Sequence, residues 1–151
     1  MIIDSRLLFC EDQAARTDGQ FGDIIDVRPS RDMFAGAAPL HWVIQVAEAY
    51  AGGNFVRFSV RGAPAVSGNT LSGTAADIAS TGLIATARLG AGGIFAVSMP
   101  QTGLEELGPG SRDLNYLRLM VDVTGSFTAG SITSWLGLTA PKHAVYMDAV
   151  N

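Results

Sequence analysis

Val56-Arg57-Phe58-Ser59-Val60-Arg61 alternates apolar and polar residues without a break. Side chains on a strand point to opposite faces in turn, so Val56, Phe58 and Val60 face a core while Arg57, Ser59 and Arg61 face outward. The same period recurs along the chain. In Tyr116 to Thr124, Leu117, Leu119, Val121 and Val123 fall on one side, opposite Tyr116, Arg118, Met120 and Asp122. In Leu40 to Val46, Trp42, Ile44 and Val46 share a face, with His41 and Gln45 on the other. From Ile132 to Leu138, Ile132, Leu136 and Leu138 fall together, and Trp135 sits on the side of Thr133 and Gly137. Weaker strands are expected at Asp23 to Val27, Ile84 to Leu89 and Ile94 to Met99.

Turn clusters separate these runs: Pro29-Ser30, Gly52-Gly53-Asn54, Gly62-Ala63-Pro64, Ser67-Gly68-Asn69, Gly90-Ala91-Gly92-Gly93 and Gly108-Pro109-Gly110. Eighteen glycines and six prolines supply the backbone angles that tight connections need. Short strands between such turns predict an all-β sandwich or barrel. Only Ala14 to Thr17 and Ala75 to Thr81 read as helical. The second follows Thr74, with Asp77 three residues on as in a capping box. Gly103 to Arg112, containing Glu105-Glu106, is the most loop-like stretch. No linker or repeat divides residues 1–151, which read as one domain.

Composition points to a protein that covers part of itself with a partner. Charged residues are 16% against 48% apolar, where a soluble domain carries about a quarter charged residues. Mean hydropathy is +0.26. The net charge is −4, and Lys142 is the single lysine. Nucleic-acid binding through counterion release needs clustered cations, and so does attachment to an anionic membrane, so neither partner is expected. No apolar stretch reaches the roughly 18 residues of a membrane span, and the start around Leu7-Leu8-Phe9 lacks the pattern of a secretory signal. The chain is expected to be soluble and made in the cytoplasm.

No chemistry-bearing constellation emerges, and no enzyme and no cofactor are expected. Cys10 is alone, so it forms no intrachain disulfide and no thiolate metal site. His41 and His143 have no neighbouring ligands at helical or strand spacing. No serine sits in a Gly-x-Ser-x-Gly elbow. Gly90 to Gly93 lacks the Gly-Lys-Ser/Thr ending of a phosphate loop and reads as a hairpin-like turn into a strand. Trp135 on a Thr/Gly face reads either as covered within the chain or as an interface anchor or sugar-stacking platform.

The order of motifs carries a resemblance. Met1, Asp4, Leu7, Phe9 and Gln13 open the chain, followed by Ile25-Asp26-Val27 and by Pro39 to Tyr50. Phe95-Ala96-Val97-Ser98-Met99-Pro100 comes later, then Tyr116-Leu117-Arg118-Leu119 and the closing Ile132 to Leu138 strand. This order resembles the capsid cement (decoration) protein family of tailed bacteriophages, first recognised in a Bordetella phage. The resemblance implies a jelly-roll-like antiparallel β-sandwich with long loops and at most one or two short helices. It also implies binding to the outer face of an icosahedral shell, with the phage major capsid protein and further copies of the chain, as homodimer or homotrimer, for partners. It transfers no catalytic residue. On this reading Arg57, Arg61, Arg118, Trp135 and Tyr146 are candidate interface residues, and Ala140 to Asn151 a candidate extended arm. The alternatives are a carbohydrate-binding jelly-roll module using Trp135 with Thr133, and a small-barrel enzyme in which His41 and His143 meet a carboxylate.

Overall fold

The computed structural model describes residues 7–27, 40–99, 114–137 and, for the backbone, 145–147. The expected features at Pro29-Ser30, Gly103 to Arg112, Lys142 and His143 lie outside the described residues.

Among the described residues eleven strands form: β1 (Leu8–Ala14), β2 (Gly19–Asp26), β3 (His41–Gly52), β4 (Phe55–Ala63), β5 (Ala65–Ser67), β6 (Thr70–Ser72), β7 (Ala76–Ala85), β8 (Ile94–Ser98), β9 (Tyr116–Thr124), β10 (Phe127–Gly137) and β11 (Val145–Met147). One sheet runs β1-β10-β3-β8-β11 and the other β2-β9-β4-β7, with β5-β6 as a separate hairpin. Setting that hairpin and β11 aside, the antiparallel pairs nest: β1 with β10, β2 with β9, β3 with β8, β4 with β7. β10·β3 and β9·β4 join the pairs into two four-stranded layers. This is the pairing of a jelly roll, in which one long antiparallel ribbon is rolled so that alternate strands fall in opposite sheets.

The core lies between the inner faces. Trp42, Ile44, Val46, Phe95, Val97, Ile132 and Leu136 come from the first sheet, and Val56, Phe58, Val60, Ile84, Leu117, Leu119 and Val121 from the second. All of these are buried, and Val123 packs at the margin. The alternations read from the sequence for β3, β4, β9 and β10 therefore hold, with β3 continuing to Gly52 and β10 beginning at Phe127.

Several local expectations are corrected. The predicted helix at Ala75 to Thr81 is strand: Asp77, Ala79 and Ser80 pair with Arg61, Val60 and Ser59 of β4, and Asp77 accepts from Arg61 rather than capping a turn. Sheet pairing outweighs the helix preference of this short alanine-containing stretch. Ala14 ends β1, and Ala15 is buried where the chain crosses to β2. The strand expected over Ile84 to Leu89 stops at Ala85 and becomes a 3₁₀ turn at Thr86–Arg88. Gly62 and Ala63 belong to β4 rather than to a turn. Gly90 to Gly93 is not a hairpin, because it carries the chain from β7 in one sheet to β8 in the other. Its backbone bonds instead to Val46: Gly92 N–H donates to Val46 O at 2.8 Å, and Val46 N–H to Gly93 O at 2.8 Å.

The two ends of the sandwich differ. At one end the crossings are tight and bonded to one another. Gly53 N–H donates to Ser126 O and Asn54 N–H to Thr124 O, both at 2.7 Å, and Thr86 N–H donates to Asn54 O at 3.0 Å. Gly125, at φ +92°, lies so close to Gly53 that an added Cβ would stand 2.9 Å from its Cα. At the other end Val27 N–H donates to Asn115 O, Asn115 N–H to Ala63 O, and Met99 N–H to Leu40 O. The connections from β2 to β3, from β4 to β7 and from β8 to β9 start and finish at this second end, because a jelly roll puts alternate crossings at alternate ends.

A polar contact fixes two strands inside the core. Ser134 faces inward, opposite Ile44 on β3. Its hydroxyl accepts from Trp42 Nε1 at 2.8 Å and donates to Val43 O at 3.1 Å. A buried indole N–H without an acceptor costs about 1–3 kcal/mol. Ser134→Ala is therefore expected to destabilise the fold by about that amount in chemical denaturation, with little change in far-ultraviolet circular dichroism.

Candidate interaction surface

The outer face of the second sheet carries most of the expected interface residues. Phe55, Arg57, Ser59 and Arg61 of β4 alternate onto it, beside Leu83 and Ala85 of β7 and Arg118, Met120 and Asp122 of β9. Arg57 donates through Nε at 3.0 Å and Nη2 at 2.6 Å to Asp122 Oδ2, its register partner. That hydrogen-bonded carboxylate holds the guanidinium's pKa above its ordinary value. Arg61 Nε donates to Asp77 Oδ1 at 2.8 Å on the opposite neighbour strand. Both pairs are partly exposed, so each contributes at most about 1 kcal/mol and both arginines remain within reach of a partner.

Two large apolar side chains are presented beside them. Leu83 is 64% exposed and Phe55 40% exposed. They occupy adjacent strands, since Leu83 pairs with Arg57 and Phe55 with Ala85. Sequence reading missed both: Leu83 fell between the expected helix ending at Thr81 and the expected strand beginning at Ile84, and Phe55 beside a turn. An apolar–Arg–Met surface of this kind matches the composition enriched at protein interfaces.

Arg118 is a correction. It is 7% exposed and belongs to the chain's own structure. Arg61 and Arg118 stand opposite each other in register, yet they lean apart, Arg61 to Asp77 and Arg118 to β2. Arg118 Nε donates to Gly22 O at 3.0 Å, and its Nη1 to Gln20 Oε1 at 3.3 Å and to Asn69 O. Gln20 Oε1 also accepts from Leu71 N–H at 3.0 Å. Arg118 and Gln20 thus clamp the β5-β6 hairpin over the sheet. Burial pulls the guanidinium's pKa down, with Asp23 opposing, but an arginine stays charged. Its charge is met by carbonyl oxygens, which only a fork of several N–H donors can reach together.

Trp135 is likewise used within the chain, at 3% exposure. It lies on the face of the first sheet away from the core, as its alternation with Thr133 and Gly137 requires, in one cross-strand row with Val43 and Ala96. Val43 and Ala96 are buried too, so this sheet is covered on both faces. The row continues to Tyr146 of β11, which is in register with Ala96. The fold thus brings the backbone position of Tyr146 into line with Trp135, though β10 and β11 lie on opposite sides of the β3-β8 pair.

Cys10 is buried on the edge strand β1, and its thiol donates to Ile132 O at 3.6 Å. Burial pushes the thiol up to about 11, and Asp23 adds to the effect. Tyr50 is raised in the same direction by burial, with its hydroxyl donating to Ala15 O at 2.9 Å. Among the described residues no group of three or more His, Cys, Asp or Glu is placed to hold a metal ion, and no helix is long and apolar enough to cross a membrane. His41 is described and His143 is not. No protein-family model matches the chain, and no curated protein matches it.

Two outcomes are expected. Arg118→Met should speed amide exchange at Leu71 and proteolysis within residues 65–72, while β4 and β9 amides keep their protection. Stability should also fall as pH rises from about 9 to 11. An unfolded thiol loses its proton near 9 and the native one near 11, so across that window the native chain holds a proton the unfolded chain has released. Denaturation midpoints measured across that range check this, and Cys10→Ser should flatten part of the slope.

Proposed function

We propose that this protein is a structural virion protein that binds the outer surface of an icosahedral phage capsid and cements neighbouring major capsid protein subunits. The observation that supports the reading is the outer face of the β2-β9-β4-β7 sheet, where exposed Leu83 and Phe55 adjoin Arg57 and Arg61 on a rigid sandwich. A protein that cements a shell gains affinity from area and from repetition, and a broad sheet face suits that task better than a pocket does. The resemblance in motif order and the jelly roll itself point the same way. On this reading the chain sits on the virion's outer surface as a homodimer or homotrimer, contacts neither nucleic acid nor membrane, and catalyses nothing.

The carbohydrate-binding alternative used Trp135 as its stacking platform. With that indole 3% exposed, Trp135 offers no face on which a sugar could stack.

The test is sedimentation of the purified protein with and without capsids that lack it. Co-sedimentation at a fixed ratio to the major capsid protein, with shells that withstand higher temperature, is the expected result. Protein remaining in the supernatant at every concentration overturns the reading. The double variant Phe55→Asp/Leu83→Asp should keep its circular dichroism and lose at least about tenfold in affinity, the effect of removing two apolar contacts from an interface centre.

A further inference from the structure

The β5-β6 hairpin is loosely held. No residue from Ala65 to Ser72 is buried, and among the described residues no bond between backbone groups joins these residues to either main sheet. A lone two-stranded hairpin is marginal in water. Its place over the sheet rests on side chains: Arg118 donates to Asn69 O, and Gln20 accepts from Leu71 N–H. Its neck is narrow. Asn115 holds one side, with its N–H donating to Ala63 O at 3.0 Å and its Nδ2 to Pro64 O at 3.1 Å. On the other side Gly73 comes so near Pro64 that an added Cβ would stand 2.8 Å from the proline Cγ. The sheet below holds a polar group with nothing to bond. Ser59 points outward by the alternation of β4, between Met120 of β9 and Ser80 of β7, in the row that Gln20 begins on β2. It is nonetheless fully buried, and its Oγ has no hydrogen-bond partner. β6 lies against β2, β9 and β4, the strands that carry Gln20, Met120 and Ser59.

We infer that the β5-β6 hairpin is a flap that opens about the Pro64–Gly73 neck while the sandwich stays folded, and that the closed flap withholds Arg118 and Ser59 from the outer face of the second sheet. Opening exposes little apolar area, because the hairpin buries none of its own residues. Elements with few buried apolar contacts open at a lower free energy than the whole fold. The hydrogen bonds it breaks are replaced by water at Arg118, Gln20, Asn69 and Leu71. Ser59 gains outright, since water reaches a hydroxyl that closure leaves unmet, and an unmet buried hydroxyl is costly. Closure therefore carries a penalty within itself, and Arg118 is what offsets it. Opening adds Arg118 to the face that carries Arg57 and Arg61 and widens the area a large partner can cover. That consequence rests on the docking role proposed above. The opening itself does not, and it is tested on the protein alone, so failure to bind capsids leaves the readings below unchanged.

Two measurements on the full chain test it. The first is thiol labelling of Ser59→Cys with a soluble disulfide reagent, which reads the opening directly because position 59 is covered while the flap is shut. Buried Cys10 in the unmodified chain supplies the rate at which the sandwich itself opens. The introduced thiol should react at least about tenfold faster than Cys10, and Arg118→Met in the same chain should speed it about tenfold more, the effect of losing hydrogen bonds to a charged group. The second is hydrogen exchange. Amides of residues 66–72 should exchange as a group and ahead of those in β4 and β9. Ser59→Ala should slow that group by about tenfold, since alanine leaves no hydroxyl unmet beneath the closed flap. A hairpin that exchanges only together with β4 and β9 overturns the inference. So does an introduced thiol no more reactive than Cys10, or a Ser59→Ala hairpin that exchanges as fast as the unmodified one. If Ser59→Cys fails to fold, hydrogen exchange alone decides.

Discussion

The structure depends on one constraint: two apolar sheet faces must meet, and neither is stable without the other. β4 and β9 offer Val56, Phe58, Val60, Leu117, Leu119 and Val121, while β3 and β10 offer Trp42, Ile44, Val46, Ile132 and Leu136. A slip of one residue in any of these strands would turn its apolar set toward water and bring Arg57, Arg118 or Gln45 inward. That penalty locks the register. The locked register in turn puts Arg57 beside Asp122 and Leu83 beside Arg57, so the outer surface is a consequence of the inner one.

Where polar groups enter the interior they serve to define position. Ser134 occupies an inward place among apolar neighbours and gives the Trp42 indole N–H the acceptor that burial demands. Arg118 does the same outside the core, joining Gln20 and Gly22 of β2 to Asn69 of the hairpin, all remote from it in sequence. At the tight end Tyr50 reaches Ala15, and its ring lies where a Cβ on Gly130 would stand 2.6 Å away. Gly130, at φ +137°, lets the strand pass beneath that ring. Each contact ties together segments that the rolled ribbon brings near one another.

The proposed function uses one part of this frame. The face of the second sheet offers a broad apolar and arginine-bearing surface for a large partner, whereas the outer face of the first sheet, with Val43, Ala96 and Trp135, is covered. A protein that works by covering area can place its binding groups on strands rather than in a cleft, and on the proposed reading its low charge content suits that use.

Alternation in the amino-acid sequence determined the strand class of β3, β4, β9 and β10 and the inward residues of each. Arg57 and Arg61 were legible as outward residues because period 2 depends only on the backbone's pleat. Tertiary structure alone decided the rest. Ala76–Ala85 became a strand because β4 had an edge to pair, an interaction no local window contains. Gly90 to Gly93 became a crossing between sheets because nested pairing, not adjacency, sets the partner of β8. Arg118 and Trp135 left the list of exposed candidates because alternation says which way a side chain points but not what lies over it, and burial is a property of segments that meet only when the ribbon is rolled.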